Sequence, residues 1–428
     1  MNIEALESRI APAAIVTVTG GNLNISFAAG DASSNITVTA FGGGDYDVYD
    51  DSTVLDTVYH GVTKGINYTG TAGQDFVTFI FSAGPEALRG KLSVKTLGDP
   101  TNGDYVNLFD GQVRGGVAVD FGTAFGGNHS LEFSNTFISN GKVSVTGPTI
   151  GGLSVTNNGY DVRLGATKIV NAAYCSLQGI RVSGGLTVDN TNLQAFDTYV
   201  DLGGAVVAGG VKVVGGNGNE SVYLSGTTIG GGANLTLGDG NNSVTVGSSY
   251  IGGTLNVLSG NGGDTIEMYG GGGNGGSIGG KVNLALGEGF NSLNFDAYSV
   301  GGGLKYAGAG QSADSVSIYT EPYGHGPAGG INILLGGGGG YVSATIFNEL
   351  SKLAIVGGAA QDSVSLSGSA PSMAVTMKLG GGFDSVFVDW DNIEALSVKI
   401  DGEADGGSVN LRPVNYWIPT TLTNITEF

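Results

Sequence analysis

Short steps of apolar, polar, apolar residues run along most of the chain, and two such units alternate. One reads Ile-Gly-Gly-x-Leu-x-Val. It stands at Ile251-Gly252-Gly253-Thr254-Leu255-Asn256-Val257 and at Ile278-Gly279-Gly280-Lys281-Val282-Asn283-Leu284, with looser copies beginning at Ile150 and Val300. Copies start roughly 20–28 residues apart, the period of solenoid coils. The second unit follows about 11 residues later, a strand-plus-turn spacing. It reads acidic or amide, Ser or Thr, apolar, x, apolar, as in Glu220-Ser221-Val222-Tyr223-Leu224 and Asp264-Thr265-Ile266-Glu267-Met268.

Each unit carries the period-2 signature of a strand with one buried face. In the first unit the middle residue is expected to face outward: Ser154, Thr187, Lys212, Thr236, Asn256, Asn283, Lys305 and Asn332. A strand with two buried side chains cannot stand alone. Stacking at about 4.8 Å lets each one pair above and below and lines up the apolar residues inside. The expected fold is all-β, a parallel β-solenoid (β-helix) with about two short strands per coil. A β-propeller needs longer blades, and a β-sandwich would not repeat at this period.

Departures from the pattern divide the chain. Residues 1–14 read as a leader or tail, 15–85 as degenerate N-terminal β coils, and 86–411 as the solenoid repeats. Residues 412–428, with Pro413, Tyr416, Trp417 and Pro419, read as a C-terminal cap or docking segment. Solenoids need atypical end coils to block their open edges.

Composition narrows the class further. Gly occurs 81 times without a three-residue period and Pro only 9 times, which excludes collagen. Hydrophobic residues make up 40%, too many for wholesale disorder. The net charge of −20 argues against nucleic acid and anionic membranes as partners. It favours solubility through self-repulsion, or divalent cations. No apolar run approaches the ~20 residues of a membrane helix. The first residues lack a signal-peptide pattern, so any export is expected to use another signal or a segment outside this chain. The single cysteine, Cys175, reads as a small core residue. His60, His129 and His325 read as loop or surface residues.

The strongest candidate chemistry is the acidic position that opens the second unit. Asp264, Asp314, Asp362 and Asp384 occupy it, with Glu220, Asn242 and Asn291 in other coils. Carboxylates one coil apart could share Ca²⁺, which takes six to eight oxygens. The preferred reading is structural: each side chain caps the backbone of its own corner as an Asx turn. No other cofactor is expected. Some enzymes on this fold cleave polysaccharides, lyases with a carboxylate cluster for calcium plus an Arg or Lys base and hydrolases with paired carboxylates. Here the carboxylates are spread along the chain, and Arg163, Arg181 and Arg412 lie far apart in sequence, so catalysis is not expected. Outward aromatics such as Tyr223 and Phe387 could meet sugar rings. Insertions at 269–277 and 319–328 are where a binding loop is expected.

Leu6-Glu7-Ser8-Arg9-Ile10-Ala11-Pro12 resembles the Leu-Glu-x-Arg leader of repeat-rich secreted proteins of planctomycete and verrucomicrobial bacteria. The Ile-Gly-Gly-x-Leu-x-Val repeats are similar to their Gly-rich β-helix bodies. That resemblance implies an extracellular or cell-surface setting and no defined activity. The expected function is a non-catalytic structural protein that self-associates head to tail into a filament or surface layer. An adhesin or carbohydrate-binding β-helix with extracellular glycan partners is the alternative, and a polysaccharide-active enzyme the third.

Overall fold

A computed structural model describes residues 14–28, 33–51, 55–81, 88–98, 101–123, 127–149, 152–158, 161–193, 196–270, 275–321, 326–347, 350–369, 372–390, 395–401, 407–413, 420–423 and 426–427. Every regular element among them is a strand, and the fold is a parallel β-solenoid. No helix among them is long and apolar enough to cross a membrane. The chain forms two compact units, Met1–Asn192 and Leu193–Phe428.

The second unit is the more regular. One ladder takes the Leu-x-Val steps in sequence, from Val211–Val214 through Ala233–Thr236, Leu255–Leu258, Val282–Ala285, Leu304–Ala307, Ile331–Leu334 and Lys352–Val356. A second ladder takes the acidic-start steps, including Glu220–Ser225, Ser243–Gly247, Thr265–Tyr269, Ser292–Asp296, Asp314–Tyr319, Gly340–Ile346, Asp362–Gly368 and Asp384–Trp390. All these pairings are parallel. Between Val206 and Val300 the coils carry a third strand of two residues, as at Thr228–Ile229 and Tyr250–Ile251. That third strand holds the Ile of Ile-Gly-Gly. The glycines then turn the corner where neighbouring coils touch: a Cβ on Gly252 would collide with the Gly230 carbonyl.

Parallel register stacks like on like. Leu235, Val257, Leu284, Tyr306, Ile333, Ile355 and Met377 follow one another down the interior, each at most 2% exposed. Burying an aliphatic side chain of this size contributes about 1.5–3 kcal/mol, so each coil is held by its neighbours. The outer column between them is Lys212, Asn234, Asn256, Asn283, Lys305 and Asn332. Its amides form a chain: Asn283 Nδ2 donates to Asn256 Oδ1 (2.8 Å), and Asn256 Nδ2 to Asn234 Oδ1 (2.7 Å). Two expected members of this column sit elsewhere. Asn234 takes the place expected for Thr236, which lies two residues further along the strand. Ser154 belongs to the other ladder, paired with Ser130. A local Gly-Gly-Leu step does not say which ladder it joins; pairing with the coil above decides that.

The first unit starts differently. Ile15–Thr19 pairs antiparallel with Asn22–Ser26 across Gly20 and Gly21, whose φ of 57° and 84° suit a tight hairpin. Ser33–Gly42, Asp45–Asp50 and Leu55–Tyr59 form an antiparallel meander. These hairpins are why the repeat looks degenerate over 15–85. Parallel pairing takes over from Gly65–Thr69 and Gln74–Ile80 onward. Cys175 is buried, as expected.

The leader residues 6–12 lie outside the described residues, as do Trp417, His325 and residues 82–87. In the segment expected as a cap, Thr420–Thr423 and Thr426–Glu427 pair in parallel and carry both ladders one coil further.

Candidate functional site: a buried acid and amide column

The alternation that buries Val222 and Leu224 also turns Glu220 inward, because position 220 shares their face. In the second unit this inner column runs Thr198, Glu220, Asn242, Asp264, Asn291, Asp314, Gly340, Asp362 and Asp384. Every residue in it apart from Gly340, which has no side chain, is at most 3% exposed. Buried polar groups are costly unless hydrogen-bonded, so their partners define what the column does.

Most of those partners are backbone. The Glu220 N–H donates to Asn242 Oδ1 (3.0 Å), the Asn242 N–H to Asp264 Oδ1 (3.1 Å), and the Asp264 N–H to Asn291 Oδ1 (3.2 Å). The same link joins the Asn291 N–H to Asp314 Oδ1 (3.3 Å) and the Asp362 N–H to Asp384 Oδ1 (2.9 Å). Each side chain therefore caps the strand start of the preceding coil. Many also cap their own corner. The Gly216 N–H donates to Glu220 Oε1 and the Gly358 N–H to Asp362 Oδ2, both at 3.0 Å. Asn242 Nδ2 donates to the Gly238 and Gly240 carbonyls. The expected Asx-type corner caps are present, but they belong to a continuous interior ladder that ties coil to coil.

Amide and acid alternate for a chemical reason. A carboxylate only accepts, whereas an amide both accepts and donates. Asn242 Nδ2 and Asn291 Nδ2 each add a bond to the next carboxylate, Asp264 Oδ1 (2.9 Å) and Asp314 Oδ1 (3.2 Å). Of the four carboxylates expected as Ca²⁺ candidates, Asn291 separates Asp264 from Asp314, and Gly340 separates Asp314 from Asp362. Only Asp362 and Asp384 occupy successive coils. Several oxygens of the four face N–H or O–H donors, the environment of an anion or a neutral acid. Among the described residues, no three His, Cys, Asp or Glu side chains converge as a metal site would require.

Burial dominates the electrostatics. It pushes the Glu220 carboxyl up to about 7 and Asp362 up to about 6, and it also raises Asp264 and Asp314. The Asp384 charge raises Asp362 further, while the Gly358 N–H opposes the shift. Desolvation outweighs the capping bonds, so burial shifts these carboxyls toward the protonated form relative to water.

The first unit builds a shorter version from mixed residues: Ser34, Asp75, Asp104 and His129. The Asp75 N–H donates to Asp104 Oδ1 (2.9 Å) and the Asp104 N–H to His129 Nδ1 (3.0 Å). Asp75 accepts from Ser34 Oγ (2.7 Å) and from the Thr71 N–H, and burial lifts its carboxyl to about 6. His129 is only 1% exposed, which overturns its expected surface position. It alternates with Leu131 and Phe133, so its ring shares their inward face. Its Nδ1 also lies 3.3 Å from Asp104 Oδ2, and among the described residues its buried Nε2, beside Phe121 (ring centroids 5.4 Å apart), has no hydrogen-bond partner. His60 is exposed and lies 2.9 Å from Asp45.

Two arginines far apart in sequence are neighbours in the fold. Arg163 and Arg181 pair across successive coils, and both approach Asp161, at 2.5 and 3.7 Å. The cluster is exposed, with both guanidinium groups facing the one Asp161 carboxylate. Tyr223 and Phe387 are half-buried on the outer face, as their strand positions require. Residues 271–274 and 322–325 of the two insertions lie outside the described residues. Comparison of the chain with protein-family models, curated proteins and solved structures finds no match.

Proposed function

We propose that this chain is a non-catalytic structural protein of an extracellular or cell-surface layer, assembling head to tail through the ends of its solenoid. The observation that carries the reading is the first strand. Val18 lies opposite Leu23 and shares its face, yet Leu23 is 0% exposed and Val18 is 37% exposed. Ile15 is 51% exposed. An edge strand with apolar, uncovered side chains is a template for another chain. Head-to-tail contacts of this kind do not close, so they build filaments. The interior polar groups support the same reading, since they are engaged in holding coils together.

The test uses an edge that can be blocked without breaking the hairpin. Thr19 and Asn22 flank the two-residue turn as a hydrogen-bonded pair, which leaves the Val18 N–H pointing away from the hairpin. Proline is tolerated at such a position because it removes only an outward donor. The wild-type chain is expected to form concentration-dependent fibres by light scattering and electron microscopy, with or without Ca²⁺. Val18→Pro should stay monomeric with an unchanged melting profile. A wild-type chain that remains monomeric at high concentration in both conditions overturns the assembly reading.

A further inference from the structure

Outer aromatic residues are usually isolated on a sheet face, but three tyrosines in the second unit are arranged by the ladder. Tyr269, Asp296 and Tyr319 occupy the same outer position in three successive coils. Two coil rises of about 4.8 Å put the tyrosine backbones about 9.6 Å apart. Tyr269 does not stand away from the sheet. Its neighbour in the preceding coil is Gly247, and a Cβ there would lie 2.5 Å from the Tyr269 ring and hydroxyl. The ring therefore lies over a bare backbone, with its hydroxyl in hydrogen-bonding reach of Tyr223 one coil further back. It remains 37% exposed, and Tyr319 is 39% exposed.

A tyrosine laid along a surface presents a flat apolar face with polar groups at its rim. Glu267 and Asp296, both exposed, flank it with carboxylate acceptors. Flat rings suit the C–H face of a pyranose, and carboxylates suit its hydroxyls. The same carboxylates, in a chain of net charge −20, repel phosphates, sulfates and uronates. We infer that Tyr223, Tyr269 and Tyr319 form a binding strip for a neutral, extended β-linked glycan. Its sugar rings stack on Tyr269 and Tyr319, with one disaccharide step spanning two coils. The strip lies on a strand face and uses neither solenoid end, so it stands or falls independently of head-to-tail assembly.

The full chain is titrated by calorimetry with cellohexaose, chitohexaose and mannohexaose, and with polygalacturonate as the anionic comparison. At least one neutral chain should bind. Tyr269→Ala should weaken that binding about tenfold or more, equivalent to about 1.4 kcal/mol. Gly247→Ala should weaken it in the same direction, because the added methyl lifts the Tyr269 ring while the strand backbone is kept. Tyr250→Ala, an exposed tyrosine on a different short strand, should bind as wild type, and melting curves confirm that each variant is folded. Absence of binding to all three neutral chains, tighter binding of polygalacturonate, or a Tyr269→Ala protein that binds as wild type would each overturn the inference.

Discussion

The two units solve one problem with different chemistry. Both must satisfy the backbone N–H groups that open the inner strand steps; at Thr198 and Asp314 a carbonyl of the next coil does so, and at most other steps a side chain accepts instead. In the second unit the answer repeats: Glu220, Asn242, Asp264, Asn291 and Asp314 each present an oxygen to the coil before or to their own corner. In the first unit Asp104 and His129 do the same work, and the next paired position, Leu153, is apolar. Acceptor geometry is what the fold demands, and residue type is secondary. An amide, a carboxyl or an imidazole serves equally if it places a lone pair at that point. The regular unit adds alternation, which keeps most acids beside a neutral neighbour.

The first way to break this comparison is to invert the alternation itself. Leu255 is 0% exposed and Asn256 lies on the outer face. Leu255→Asp should cost several kcal/mol, and Asn256→Asp no more than about 0.5 kcal/mol. Equal melting temperatures would mean that inside and outside are misassigned.

That distinction was legible from sequence, because Leu-x-Val alternates with polar residues in coil after coil. The acidic column was only half legible. Its spacing was plain, but a residue written before a strand looks like a turn residue. Extending the alternation by one position, from Val222 back to Glu220, gives the inward direction. The same step from Leu131 back to His129 finds the buried histidine. Register was not legible at Ser154 or Thr236, where pairing with another coil decides between similar local patterns. The adjacency of Arg163 and Arg181 depends on the coil closing between them, which no short motif encodes.

A smaller effect separates acceptor from charge. Asp264 accepts from Ser259 Oγ, from the Asn242 N–H and from Asn242 Nδ2. Asp264→Ala leaves these donors buried and should cost about 3 kcal/mol by chemical denaturation. Asp264→Asn keeps an acceptor oxygen, as at Asn242 and Asn291, and should cost about 1 kcal/mol or less. Similar losses in both variants would show that the charge matters and the acceptor does not.

Smaller still is the effect of repairing the one break in alternation. Asp362 and Asp384 stand in successive coils, and Asp362 has a carboxyl pushed up to about 6. Asp362→Asn should raise stability by about 1 kcal/mol or more at pH 8, and by a smaller amount at pH 5. Destabilisation at pH 8 would show that the buried pair is better charged than neutral.

The central claim is that the buried column is a backbone-capping ladder whose carboxyls burial shifts toward the protonated form. A carboxyl whose folded pKa is raised contributes stability that is fully present below its unfolded value. The contribution is lost as pH rises through the folded value. For Asp75 and Asp362 that loss falls between about 4 and about 6, and for Glu220 between about 4.5 and about 7. The decisive measurement is the melting temperature between pH 8 and pH 5, in chelator, for the wild type and for Glu220→Gln. The wild type should melt higher as the pH falls, and the variant should gain less over the same interval. A wild type that melts lower at pH 5 than at pH 8, or two profiles that superimpose, would contradict the account.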